Sequence, residues 1–168
     1  NQPNATSNTP KSRSVTVGIN TQVATLDPWN GASSGVLYLQ EAMHDSLFVI
    51  AKMGSKMESD IGKSYTVSED GQTLTVEIYD YVIDSAGNKI TANDVAWSYE
   101  TAVAKGNATQ VARYLESAEA LDDTTVVFHM KAGMCKETSA PESVLTGVVI
   151  YSEAAYDEAL WATNPIGT

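Results

Sequence analysis

The sequence has little of the material from which catalytic and metal sites are usually built. It holds one cysteine, Cys135, and two histidines, His44 and His129, among 168 residues. A lone thiol forms no internal disulfide, and no CxxC or Cys/His spacing offers a structural zinc site. Neither histidine has a second metal-type ligand at helical or hairpin spacing, so each reads as a surface or packing residue. No GxSxG elbow occurs, and no glycines recur before a helix in the manner of a phosphate cradle. Cofactors and metals are therefore not expected, nor is an enzyme. Positive charge is scarce as well. Ten basic side chains face 21 acidic ones, a net charge of -11, which repels nucleic acid and acidic membranes and leaves neither as a partner. No run of about eighteen apolar residues is available to span a bilayer.

What is present is a globular composition. Hydrophobic residues make up 43% and charged residues 18%, too apolar for intrinsic disorder. Residues 1–14 are the exception, rich in Asn, Ser, Thr and Pro with no aromatic or branched aliphatic side chain, and they read as a flexible linker. Residues 15–168 read as a single mixed α/β domain with hairpins and several helices.

Periodicity supplies the elements. Alternation of Val15, Val17 and Ile19 predicts a strand over 15–20. A proline turn, Leu26-Asp27-Pro28-Trp29, leads into the small residues 30–35, after which Val36, Leu39, Met43 and Leu47 predict a helix over 34–45. A short strand is expected over 47–51 and a polar connection over 52–63. Residues 65–67 and 73–79 flank Asp70-Gly71, a strong hairpin signal. Residues 84–88 form a turn rather than a calcium loop, since the alternating oxygen ligands and closing glutamate are missing. Thr91 with Asp94 opens a helix over 91–105, closed by Gly106. Residues 114–121 and 124–130 predict a second hairpin about Asp122-Asp123. A loop with a short helix is expected over 136–145, a strand over 147–151, and a helix over 152–160 capped by Ser152.

The best candidate for function is the segment after Trp29. Its small side chains expose backbone N–H and C=O groups to a peptide-like ligand, although a plain strand-to-helix connection has the same composition.

Several segments, in order, resemble the extracellular solute-binding proteins that serve peptide and nickel ABC importers, often called family 5. They are Ser14-Val15-Thr16-Val17-Gly18-Ile19 with Thr25-Leu26-Asp27-Pro28; Val67-Ser68-Glu69-Asp70-Gly71-Gln72-Thr73-Leu74-Thr75; and Ile90-Thr91-Ala92-Asn93-Asp94-Val95-Ala96-Trp97-Ser98-Tyr99-Glu100. Ala120-Leu121-Asp122-Asp123-Thr124-Thr125-Val126-Val127-Phe128 and Asn164-Pro165-Ile166-Gly167-Thr168 complete the series. The family's Val-x-Phe-His-Asp-Gly is here Tyr81-Val82-Ile83-Asp84-Ser85-Ala86-Gly87, a departure that leaves the ligand open.

The resemblance implies a periplasmic-binding-protein-like (type II) lobe, most of the first lobe of a two-lobe protein whose second lobe is absent. It implies capture of an oligopeptide or dipeptide-like solute and delivery to an ABC permease, by a monomer at the extracellular face (lipid-anchored) or in the periplasm. Ala32, Ser33, Ser34, Gly35 and Val36 are the ligand-binding residues it suggests, while the acid that holds a peptide's amino terminus belongs to the absent lobe. A sensing or protein-interaction module built on the same lobe is the alternative.

Overall fold

The computed structural model describes residues 14, 16, 18, 22–27, 29, 34–50, 54, 56–132 and 139–168, with the backbone alone for 34–38. The expected linker over 1–14 and strand over 15–20 lie largely outside the described residues, as do Cys135 and the start of the expected loop at 136.

The centre of the described structure is an antiparallel sheet of four strands, β3 (Gly62–Val67), β4 (Thr73–Ile78), β5 (Leu115–Ala120) and β6 (Thr125–Met130), in the order β3-β4-β6-β5. Both expected hairpins are there, β3 with β4 and β5 with β6. In the first turn Gly71 takes a φ of +70°, which a side chain would disfavour, and Ser68 Oγ accepts the Gln72 and Thr73 N–H groups. Strand β4 alternates: Leu74, Val76 and Ile78 are buried with Val126, Phe128 and Met130 of β6, while Glu77 points to solvent; β6 buries Val127 on its other face as well.

Helix α2 (Ala92–Ala104) lies across β5 and β6. It starts where expected, because the Asp94 carboxylate reaches back to the Thr91 N–H at 2.8 Å. The other Asp94 oxygen accepts from Glu153 N at 2.9 Å, so one carboxylate fixes both the helix start and the chain after Ser152. Tyr99 packs on Phe128 and donates to the Val144 carbonyl at 2.6 Å, tying α2 to α4 (Ala140–Leu145).

Elsewhere the structure corrects the expectations. Helix α1 runs Ser34–Met43 and ends short of 45. The Asp45 N–H bonds Thr168 Oγ1 instead of a helical carbonyl, and Gly167 lies so close to the Met43 carbonyl that a Cβ would not fit. Of the strand expected over 47–51, the described residues form β1 (Phe48–Val49), which pairs with β2 (Glu58–Ser59) inside the expected connection. Strand β3 begins at Gly62, not Tyr65. The sequence assigns Tyr114 to a strand, yet residues 109–114 form helix α3 (Thr109–Tyr114), because Ala108, Val111 and Tyr114 recur every third residue and are buried together.

The strand over 147–151 is reduced to one bridge, Ser46 with Val149. The helix over 152–160 is broken into a 3-10 turn (Glu153–Ala155) and α5 (Glu158–Trp161), and Asp157 rather than Ser152 caps the latter through the Ala159 and Leu160 N–H groups. A side-chain acceptor in mid-segment starts a helix of its own. Asp84 takes the Ala86 and Asn88 N–H groups at 2.9 and 2.8 Å, the turn the sequence suggested.

Candidate functional site

The chain approaching residues 30–36 is fixed before it gets there. Asp27 is buried, and its Oδ1 accepts the Trp29 N–H at 2.9 Å in an Asx turn. The Leu26 N–H bonds the Ala162 carbonyl at 2.9 Å, and Asn107 Nδ2 donates to the Trp29 carbonyl at 2.6 Å. Tyr156 donates to Asp27 Oδ2 at 3.4 Å, and burial, with the Asp27 charge next, pushes that phenol up to about 12.

Trp29 itself belongs to an aromatic cluster. Its ring meets Tyr151 at 5.1 Å and Trp97 at 6.2 Å, both edge-on. Tyr151 meets Trp161 at 4.9 Å, and Tyr156 joins Trp97 to Trp161 at 5.5 and 5.1 Å. All three tryptophans of the chain are therefore in one place. Pairs of this kind contribute about 0.5–1.5 kcal/mol each beyond their burial. Of the two roles open to His44, packing is the one it has: the ring stacks on Trp161 at 5.7 Å and meets Tyr151 at 4.3 Å. Burial lowers its pKa to about 4, so the imidazole is neutral at neutral pH, one nitrogen a donor and the other an acceptor.

Beside this cluster opens a cleft of about 490 Å³. Trp29, Gln40 and His44 line it, with Phe48 and Val148 as apolar walls and Glu41, Asp45 and Asp60 as acidic lining. Trp29 Nε1, Gln40 Nε2 and both His44 nitrogens are buried without a hydrogen-bond partner among the described residues. Leaving such a group unpaired costs about 1–3 kcal/mol, and native proteins contain few of them. Asp60 Oδ2 accepts the Ser46 N–H at 3.1 Å. Burial raises the Asp60 pKa, the Ser46 bond works against this, and the Asp45 charge adds to it; burial raises Asp45 as well. The cleft pairs acceptors and unpaired polar groups with aromatic surface, the kind of lining that can hold a ligand.

Of the sequence-predicted residues, Ala32 and Ser33 lie outside those described. Ser34, Gly35 and Val36 form the first turn of α1. Gln40 and His44 belong to the other end of that helix, about 15 Å long for ten residues at 1.5 Å each. Sequence reasoning missed Gln40, Asp45, Asp60 and the aromatic cluster. The one available signal was the three tryptophans among 168 residues, and sequence distance concealed their meeting.

The family model for bacterial extracellular solute-binding proteins, family 5 Middle, matches residues 56–168. The glutathione-binding protein GsiB of Escherichia coli (strain K12) is 27% identical over 124 residues, covering 71% of this chain and 24% of the relative. Among solved structures, the ABC transporter substrate-binding protein CtaP from Listeria monocytogenes is 22% identical with a TM-score of 0.70, over 89% of this chain and 31% of that one. Listeria monocytogenes OppA, solved bound to peptide, is 15% identical with a TM-score of 0.71, over 87% and 33%. NikZ from Campylobacter jejuni, solved in complex with Ni(L-His), is 19% identical with a TM-score of 0.65, over 88% and 30%. The likeness establishes a mixed α/β fold of the type II periplasmic-binding-protein kind. The chain spans about a quarter of the curated relatives' length (24%) and about a third of the solved chains.

Proposed function

The chain belongs to the bacterial extracellular solute-binding proteins of family 5, and from that premise we propose that it forms most of the first lobe of a solute receptor. The receptor captures a peptide-like solute and presents it to an ABC permease outside the cytoplasmic membrane. Its role is binding without catalysis, and lobe closure on the ligand shifts the population toward the form the permease accepts. Ala32, Ser33, Ser34, Gly35 and Val36 lie against the ligand's backbone in this reading. What supports it is the fixed approach to that segment: Asp27 and Asn107 hold the Trp29 backbone on either side, so that small residues follow a rigid aromatic base. Fixing the approach in advance leaves less to be ordered on binding. No helix among the described residues is long and apolar enough to cross a membrane.

The test is titration of mixed di- to hexapeptides followed by NMR, which registers weak binding. Saturable shifts concentrated at 32–36 are expected, with affinity weakened about tenfold in Gly35→Val, where a branched side chain obstructs backbone contact. Unchanged affinity in Gly35→Val, with an unchanged circular dichroism spectrum, removes the segment from the site.

A further inference from the structure

We propose that the cleft at the C-terminal end of α1 is a binding site for a cationic group, a primary ammonium on a short apolar body, held between Asp45, Asp60 and Glu41 and resting on Trp29 and His44. The site is separate from residues 32–36 and does not depend on the peptide reading. Three acids line the cleft, and no lysine or arginine does so among the described residues. Acidity alone would describe any solvated surface. The second observation is different in kind: His44 and Gln40, 3% and 6% exposed, line the same cleft and hold polar nitrogens with no hydrogen-bond partner among the described residues.

A neutral imidazole keeps one lone pair to offer an N–H donor, and a half-turn of the Gln40 amide exchanges its unpaired nitrogen for its oxygen. An ammonium supplies three donors, enough for a carboxylate and these two groups. The Trp29 ring favours a cation over its face, and Phe48 and Val148 provide apolar surface for the carbon chain. Asp45 and Asp60 are prepared for such a guest, since burial disfavours the charge of both and the Asp45 charge adds to this at Asp60. The volume, about 490 Å³, is within the range of small-molecule sites.

The experiment uses the 168-residue chain, with n-butylammonium, n-butanol and butyrate as probes at matched ionic strength. The Trp29 indole N–H and the His44 ring signals are followed by NMR. Butylammonium should shift both saturably, butanol should bind at least about tenfold more weakly, and Asp45→Asn combined with Glu41→Gln should weaken the ammonium about tenfold. Those two side chains are exposed, so the fold survives their neutralisation. Asp60→Asn, which keeps an oxygen for Ser46, should do the same. Equal binding of butanol and butylammonium, shifts indifferent to the acid substitutions, or no shift with any probe overturns the assignment. None of these results bears on peptide contacts at 32–36.

Discussion

His44 shows how one side chain sets a pH response. The unfolded chain takes up a proton near 6.5, whereas the folded chain resists until about 4 because the ring is buried. Below pH 6.5 the unfolded state therefore binds more protons, and stability falls as pH drops through the interval down to about 4. One unit of pKa difference corresponds to about 1.4 kcal/mol, so roughly 2 kcal/mol should be lost between pH 7 and pH 5. Asp45 and Asp60 act in the opposite sense. Their pKa values are raised, so protonation relieves a cost of the folded state and blunts the lower end of the fall. In His44→Phe the ring contacts with Tyr151 and Trp161 persist without a titrating group. Urea midpoints at pH 7 and pH 5 should converge in that variant, and a wild-type-sized drop in His44→Phe would show that another group is responsible.

Elements depend on close approaches that substitution can test. Gly62 opens β3 directly over β1: a Cβ there would stand 2.5 Å from the Phe48 ring and 2.8 Å from the Leu47 carbonyl oxygen. The ring can shift but the backbone oxygen resists, so Gly62→Ala should cost about 1–3 kcal/mol, read as a lower urea midpoint. An unchanged midpoint would mean that β1 and β2 are not packed on β3. The same contrast between local and distant determinants explains what the sequence disclosed. The hairpin at Asp70-Gly71 and helix α2 were legible because turn glycine, capping Asp94 and strand alternation act within a few residues. Helix α3 was not, since three apolar positions abutting a strand favour neither period strongly. The apolar run at 147–151 suggested a strand, yet Val148, Ile150 and Tyr151 are buried by side-chain packing, with a single bridge in place of a ladder. The cleft was the least legible feature, because Trp29, His44 and Asp60 come from different segments and no motif links them.

At the scale of the whole molecule, a net charge of -11 works against folding and in favour of the cationic guest. Compacting like charges raises their repulsion, and screening relieves it; the Debye length shrinks from about 30 Å at 0.01 M to about 10 Å at 0.1 M salt. Raising sodium chloride from 10 to 150 mM should therefore stabilise the chain by about 1 kcal/mol, a midpoint increase of roughly 2–4 °C for a domain of this size. The same screening weakens the long-range attraction that draws an ammonium toward Glu41, Asp45 and Asp60. Butylammonium affinity should fall several-fold across that range while thermal stability rises, whereas butanol, uncharged, should bind with no such decline. Two readings on one sample thus separate the field of the molecule from the packing of the cleft. If affinity and stability rise together with salt, the apolar walls dominate the cleft and its acids are only part of the solvated surface.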